Sequence, residues 1–182
     1  TPLSIERSNL TIKAFSDENP QIIGGSFLPN NWQKDGNGRW KMQVPTYFRQ
    51  LFVDEKRAIR ARFPNEGKWA DQWFQPDTID ILNKRMVLNH GFPASFSKIK
   101  NAEMHATAWW HWTRQKVARF DPDNRTIYTT TEPGPECSGR KIDFVDRVYF
   151  ENDIAFLDTE NEWFLDSLTH TLYFQSFENP NK

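Results

Sequence analysis

Recognition of a sugar needs a flat ring that can lie against the C–H face of the pyranose, with planar polar groups beside it to take the hydroxyls. The stretch over residues 103–113, Glu-Met-His-Ala-Thr-Ala-Trp-Trp-His-Trp-Thr, holds both kinds of group. Side chains alternate across a strand, so a period of two sorts this stretch into two faces. Met104, Ala106, Ala108, Trp110 and Trp112 form an apolar set suited to a core. His105, Thr107, Trp109, His111 and Thr113 form the outward set, with Trp109 as the stacking ring and His105 and His111 as orienting groups. Trp69 and Trp73, beside Lys68, Asp71 and Gln72 in a loop-like region, offer the same chemistry a second time. A tryptophan among small residues is also ordinary filler beneath a loop, and both uses leave the same mark on a sequence.

Other chemistries find less support. Glycoside hydrolysis uses two carboxyl groups roughly 5 to 10 Å apart. Asp143 with Asp146, or Glu160 with Glu162, are nominal pairs, but 24 acidic residues in 182 put such pairs on many solvated loops. On an extended strand His105 and His111 stand roughly 20 Å apart, too far to share a metal. Asp121 and Asp123 offer oxygen ligands for a structural calcium ion, although a plain turn also accounts for them. Cys137, the single cysteine, has no histidine partner by spacing and excludes an intrachain disulfide. No glycine-rich phosphate loop occurs. The expectation is a chain with no catalytic residues and no cofactor beyond that calcium.

Short strands and turns would have to position these groups. Residues 3–15 alternate apolar and polar side chains, and Gln21-Ile22-Ile23-Gly24-Gly25 is a second short run. Trp32 and Trp40 flank Asp35-Gly36-Asn37-Gly38, which predicts a hairpin across 28–44. Residues 47–63 predict strands turned by Asp54-Glu55-Lys56. Ile79, Leu82, Met86 and Val87 recur near the helical period, so one short helix is expected there, capped by Asp77 or Thr78 and ended by Gly91 and Pro93. A further hairpin is expected around Asp121-Pro122-Asp123-Asn124-Arg125.

Composition sets the bounds. The chain has 23 basic and 24 acidic residues and a formal charge of −1, so it has no global field for a polyanion and nucleic acid is not an expected partner. Only 37% of residues are hydrophobic, yet 15% are aromatic, including 8 Trp and 15 Phe, a skew that a ring-filled core and a sugar-stacking surface would both produce. No apolar run approaches the roughly 20 residues of a membrane span, so a membrane is not an expected partner either.

Three stretches resemble one family. Tyr47-Phe48-Arg49-Gln50-Leu51-Phe52-Val53-Asp54-Glu55-Lys56-Arg57, running on through Arg60-Ala61-Arg62-Phe63-Pro64-Asn65, is similar to the "QLFVNGKR…RARYPN" stretch of secreted right-handed β-helix enzymes acting on polysaccharides. Phe150-Glu151-Asn152, Leu157-Asp158, Asn161-Glu162-Trp163-Phe164-Leu165-Asp166 and Thr171-Leu172-Tyr173-Phe174 resemble a later segment of those proteins. Ser8-Asn9-Leu10-Thr11-Ile12-Lys13-Ala14, with Ile22-Ile23-Gly24-Gly25, resembles the rung that precedes both. Asn161 stands where the family pattern has glycine, and asparagine tolerates the same positive φ.

The resemblance, which takes in glycoside hydrolase family 141, implies an all-β fold: a β-sandwich (jelly-roll-like) insertion domain with short β-helix-like strands at both ends and at most one short helix. The expected division is 1–65 for β-helix-like rungs and hairpin, 66–141 for the sandwich core, and 142–182 for strands returning toward the β-helix. Arg57, Arg60 and Arg62 fall at the junction of solenoid and insertion, where structural ion pairs are expected rather than a grip on an acidic glycan. The catalytic carboxylates of such enzymes sit on later β-helix rungs, and the chain reaches Lys182 before them, so a non-catalytic module is expected. Its partners would be a polysaccharide, bound by stacking on Trp109 or on Trp69 and Trp73, and the parent β-helix. The setting would be secreted or periplasmic in a bacterium. The alternative is an insertion that only braces the β-helix and shapes its cleft.

Overall fold

The computed structural model describes residues 4–20, 24–36, 38–134, 136, 137, 140, 141 and 144–181. Ile22, Ile23, Asn37, Asp143 and the side chain of Cys137 lie outside them. The chain divides into two compact units, Thr1–Asn30 and Asn31–Lys182.

In the first unit the described residues form no strand. Only a turn is closed, by the amide of Glu18 on the carbonyl of Phe15 at 3.0 Å, and Ile5, Leu10, Ile12, Phe15 and Phe27 are exposed. The alternation expected over 3–15 is present in the sequence, but a strand exists only where a neighbour takes its N–H and C=O groups, and the described residues of this unit supply none.

The second unit is built from strands β1 (Gln33–Gly36), β2 (Arg39–Gln43), β3 (Phe52–Val53), β4 (Lys56–Arg57), β5 (Ile59–Arg60), β6 (Arg62–Phe63), β7 (Pro76–Asp80) and β8 (Arg85–Leu88). The second half adds β9 (Glu103–Ala108), β10 (His111–Asp121), β11 (Thr126–Thr129), β12 (Glu136–Cys137), β13 (Arg140–Lys141), β14 (Arg147–Glu151), β15 (Glu162–Asp166) and β16 (Thr171–Gln175). A five-stranded sheet runs β1-β2-β16-β15-β5 and a seven-stranded sheet runs β6-β14-β9-β10-β11-β8-β7, with two small ribbons, β3-β4 and β12-β13. Among the described residues every strand pairing is antiparallel except that of β5 with β15. The only helical turns among the described residues are 3-10 turns at Ala94–Lys98 and Ile154–Phe156, so the fold is the expected all-β, sandwich-like one. No helix among the described residues is long and apolar enough to cross a membrane.

The core lies on one face of the seven-stranded sheet. Met86, Leu88, Met104, Ala106, Val117, Phe120, Val148 and Phe150 point into it. Phe92, Phe96 and Ile99 from the first 3-10 turn and its flanks, and Phe156 from the second, cover it, and Phe164 and Tyr173 of the other sheet pack against it. The backbone crosses from one sheet to the other at a single residue between β5 and β6. Ala61, fully buried between β5 and β6, donates its amide to Trp163 of the five-stranded sheet at 2.7 Å and accepts from Asn152, next to β14, at 3.2 Å.

Local chemistry explains most of the turns. In the β3–β4 ribbon Asp54 and Glu55 both take positive φ, 48° and 65°, as a two-residue hairpin turn requires. Asn161 takes φ 67° before β15, the conformation its place in the family pattern demanded. The helix expected over 77–90 is instead the β7–β8 hairpin, with Ile79 opposite Met86. Asp80 closes its turn by accepting from the amide and side chain of Asn83, the local bond that competes with a helix. Leu82, which a helix would have had to bury, is 91% exposed at that turn.

Candidate functional site

The face of the seven-stranded sheet opposite the core carries the polar chemistry. In β9 and β14, Glu103 stands opposite Glu151, His105 opposite Tyr149 and Thr107 opposite Arg147. On the other side of β9, Arg114 of β10 pairs with His105 and Trp112 with Thr107. Strand alternation puts all eight of these residues on one face, while Met104, Ala106, Val148 and Phe150 are fully buried on the other.

Two glutamates facing each other repel unless a cation lies between them. Arg60 supplies it: Nη1 lies 2.9 Å from Glu103 and 2.8 Å from Glu151. Its Nη2 donates to Tyr47 Oη at 2.9 Å and to Asn152 Oδ1 at 2.5 Å. Arg49 adds a bidentate contact to Glu103, at 2.8 and 3.3 Å. Burial alone would raise both carboxyls. The charges of Arg49 and Arg60 hold Glu103 below its ordinary value, and His105 with Arg60 brings Glu151 down to about 2.

His105 is wedged into this network. Its Nδ1 accepts from the indole N–H of Trp112 at 3.0 Å, which leaves the proton on Nε2, 2.9 Å from Glu151 Oε1. The imidazole stacks on Tyr149 at 4.7 Å. Arg62 lies over the far side of Tyr149, 3.9 Å from the ring centre, and donates to the carbonyls of Pro64 and Gln72. Glu103, His105 and Glu151 bring ligand atoms within 4.8 Å of one another, a spacing suited to a metal. The position between the two carboxylates is taken by Arg60 Nη1, so the cluster is held by arginine.

Around it runs a row of rings. Trp73 meets Trp69, Trp112 and Tyr149 edge-on at 5.7, 6.1 and 5.3 Å, and Arg147 lies 4.5 Å over Trp69. Beside the row is an open cleft of ≈ 710 Å³ whose walls include Phe48, Gln50, Arg57 and Trp112.

The expected site residues are divided by this arrangement. Trp109 (68% exposed) and Trp69 (65%) are outward rings, Trp73 and His111 are half-buried, and His105 is buried among its partners. The strand expected to run unbroken across 103–113 is a hairpin, with Trp109 and Trp110 as its two-residue loop and Ala108 paired with His111. The loop inverts the alternation, so Trp110 (83% exposed) and Trp112 (53%) face solvent rather than the core. Trp109 has φ 52° and stacks on Trp110 at 5.9 Å and against Phe144 at 6.1 Å. Trp110, Trp112, Arg114 and Glu151 were missed. A signal was present: beyond 113 the even positions are Arg114 and Lys116 and the odd ones include Val117, the opposite of the parity before Trp109. The Asp121 carboxylate accepts from the amide and side chain of Asn124 and so closes the β10–β11 turn.

Glu162 is the remaining buried carboxyl. It accepts from the amides of Arg62, Asp158 and Thr159 at 3.1 to 3.4 Å, tying the start of β15 to the crossing between the sheets. Burial outweighs these bonds and pushes it up to about 7.

The sequence pattern of the GH141 insertion domain matches residues 39–176, the span that holds the seven-stranded sheet, the five-stranded sheet apart from β1, and the face just described. The chain belongs to that family. A solved structure named "Glycoside hydrolase" superposes on this insertion domain with a TM-score of 0.60 at 20% identity, over 81% of this chain and 28% of that one. At that identity the likeness speaks to the fold, and the insertion domain spans little more than a quarter of that protein. No curated protein matches it.

Proposed function

We propose that this insertion domain is a non-catalytic, glycan-engaging module of a larger secreted or periplasmic enzyme that degrades polysaccharide. It lines the approach to a β-helix active site carried by the parent protein. Trp109 and Trp110 at the hairpin tip, with Trp112 and Trp69 behind, present rings to sugar, while His111 lies beside Trp110 at 5.5 Å to take hydroxyls. His105 and Trp73 act from beneath by fixing Trp112, through the 3.0 Å hydrogen bond and the edge contact.

The observation that carries this reading is the backbone of Trp109. Left-handed φ suits Gly or Asn and costs a bulky residue roughly 1–2 kcal/mol. Trp109 takes this conformation at the tip of a two-residue hairpin loop, beside a second exposed indole and without any of the usual turn residues, which favours a role for the pair outside the fold. Affinity electrophoresis through gels containing neutral and acidic polysaccharides tests it. Retardation by at least one glycan is expected, and unchanged mobility in every gel refutes glycan engagement. A bracing role draws on the first unit, whose exposed Leu10, Ile12 and Phe15 resemble a rung without its neighbours. The same gels separate the two, because a brace gives no retardation.

A further inference from the structure

Apart from the ring tip, the cleft beside Trp112 concentrates positive charge. Arg49, Arg57 and Arg114 line it and Arg60 lies beneath, against two carboxylates, Glu103 and Glu151. Both carboxylates are spoken for: Glu103 by Arg49 and Arg60, Glu151 by Arg60 and His105. Arg114 comes no closer to Glu103 than 3.8 Å, and Arg57 has no carboxylate partner among the described residues. A chain of net charge −1 therefore gathers four guanidinium groups against two carboxylates in one concave place.

The same cleft is lined by a ring, Trp112. The indole N–H of Trp112 is fixed by His105, which sets the orientation of the half-exposed ring, and Arg114 follows two positions on along the same face of β10. The exposed amide of Gln50 adds a hydroxyl-binding group. A ring platform flanked by planar, bidentate donors matches a sugar that carries an oxyanion.

We infer that this cleft binds an acidic sugar unit, with its ring against Trp112 and its uronate carboxylate or sulfate ester held by Arg57 and Arg114. This rests on the glycan-engaging role above and adds the ligand's charge class and the residues that select it.

Isothermal titration of the 182-residue chain with matched oligosaccharide pairs tests it: a uronate oligomer against its carboxyl-reduced form, and a sulfated galactan oligomer against its desulfated form. Neutralising the ligand is expected to weaken binding about tenfold or more, which is what a lost charge-assisted hydrogen bond gives. The pair that responds identifies the anion. Arg57→Ala with Arg114→Ala should abolish that difference and the salt dependence that goes with it, whereas Lys84→Ala in the β7–β8 turn should not. Thermal melts check that the variants are folded. Equal affinity within both pairs, or discrimination that survives the double arginine variant, overturns the acidic-sugar site and leaves glycan engagement standing. Failure of every oligosaccharide to bind overturns both.

Discussion

At the scale of single residues the hairpin tip separates function from stability. Replacing Trp109 by glycine removes the cost of its 52° φ. The change also forfeits the contacts with Trp110 and Phe144 and adds the entropy of glycine in the unfolded chain. These effects offset, so Trp109→Gly should lie within about 1 kcal/mol of the parent in thermal or urea unfolding. Its retardation in a glycan-containing gel should be lost. A fall in stability of several kcal/mol with retardation intact would mark Trp109 as a structural residue. Arg60 contrasts with it, being buried and engaged on both η nitrogens by groups on three separate stretches of chain. Of the three arginines expected to form ion pairs at this junction, Arg60 does so, whereas Arg62 donates to the carbonyls of Pro64 and Gln72 and Arg57 lines the cleft.

At the scale of elements the decisive piece is the crossing from β5 to β6. Ala61 serves both sheets with its backbone and is completely enclosed, so a larger side chain has no space there. Ala61→Leu should cost about 1–3 kcal/mol through overpacking, read as a lower urea midpoint with an unchanged slope. Elements set by local chemistry were legible from sequence: the β1–β2 hairpin, the Asp54-Glu55 turn and the left-handed Asn161 follow from residues adjacent in the chain. The helix misread over 77–90 failed for a local reason too, since Asp80 and Asn83 form a turn that hydrophobic spacing does not register. The inverted parity after Trp109 failed because a Trp-Trp loop carries none of the usual turn residues. Long-range partners were out of reach. Glu103 and Glu151 meet Arg60 from 43 and 91 residues away, and only strand register decides that.

Across the whole molecule two buried carboxyls give the pH profile its shape. Glu151 titrates near 2 when folded against 4.5 for an ordinary glutamate. It therefore contributes stability that is full above 4.5 and is lost as pH falls toward 2, by up to about 3 kcal/mol. Glu103, held below its ordinary value, acts in the same direction. Glu162 does the reverse: with a folded value of about 7, the native state binds the extra proton, and stability declines as pH rises from 4.5 through 7. Unfolding free energy should peak in mildly acidic solution, near pH 4.5 to 5, and fall on both sides. Glu162→Gln should flatten the neutral limb and leave the acid limb unchanged, as urea titrations between pH 3 and 8 would show. A profile still rising from pH 5 to 8 would contradict the assignment.

The single-residue crossing at Ala61 bears on how the second unit comes apart. Its N–H and C=O belong to adjacent peptide groups that share one Cα, and each closes a bond into a different sheet, so opening either sheet there displaces the backbone that holds the other. The two layers then form one foldon rather than two, and native-state hydrogen exchange should find the amides of Ala61, Val148 and Leu172 released together in a single global opening.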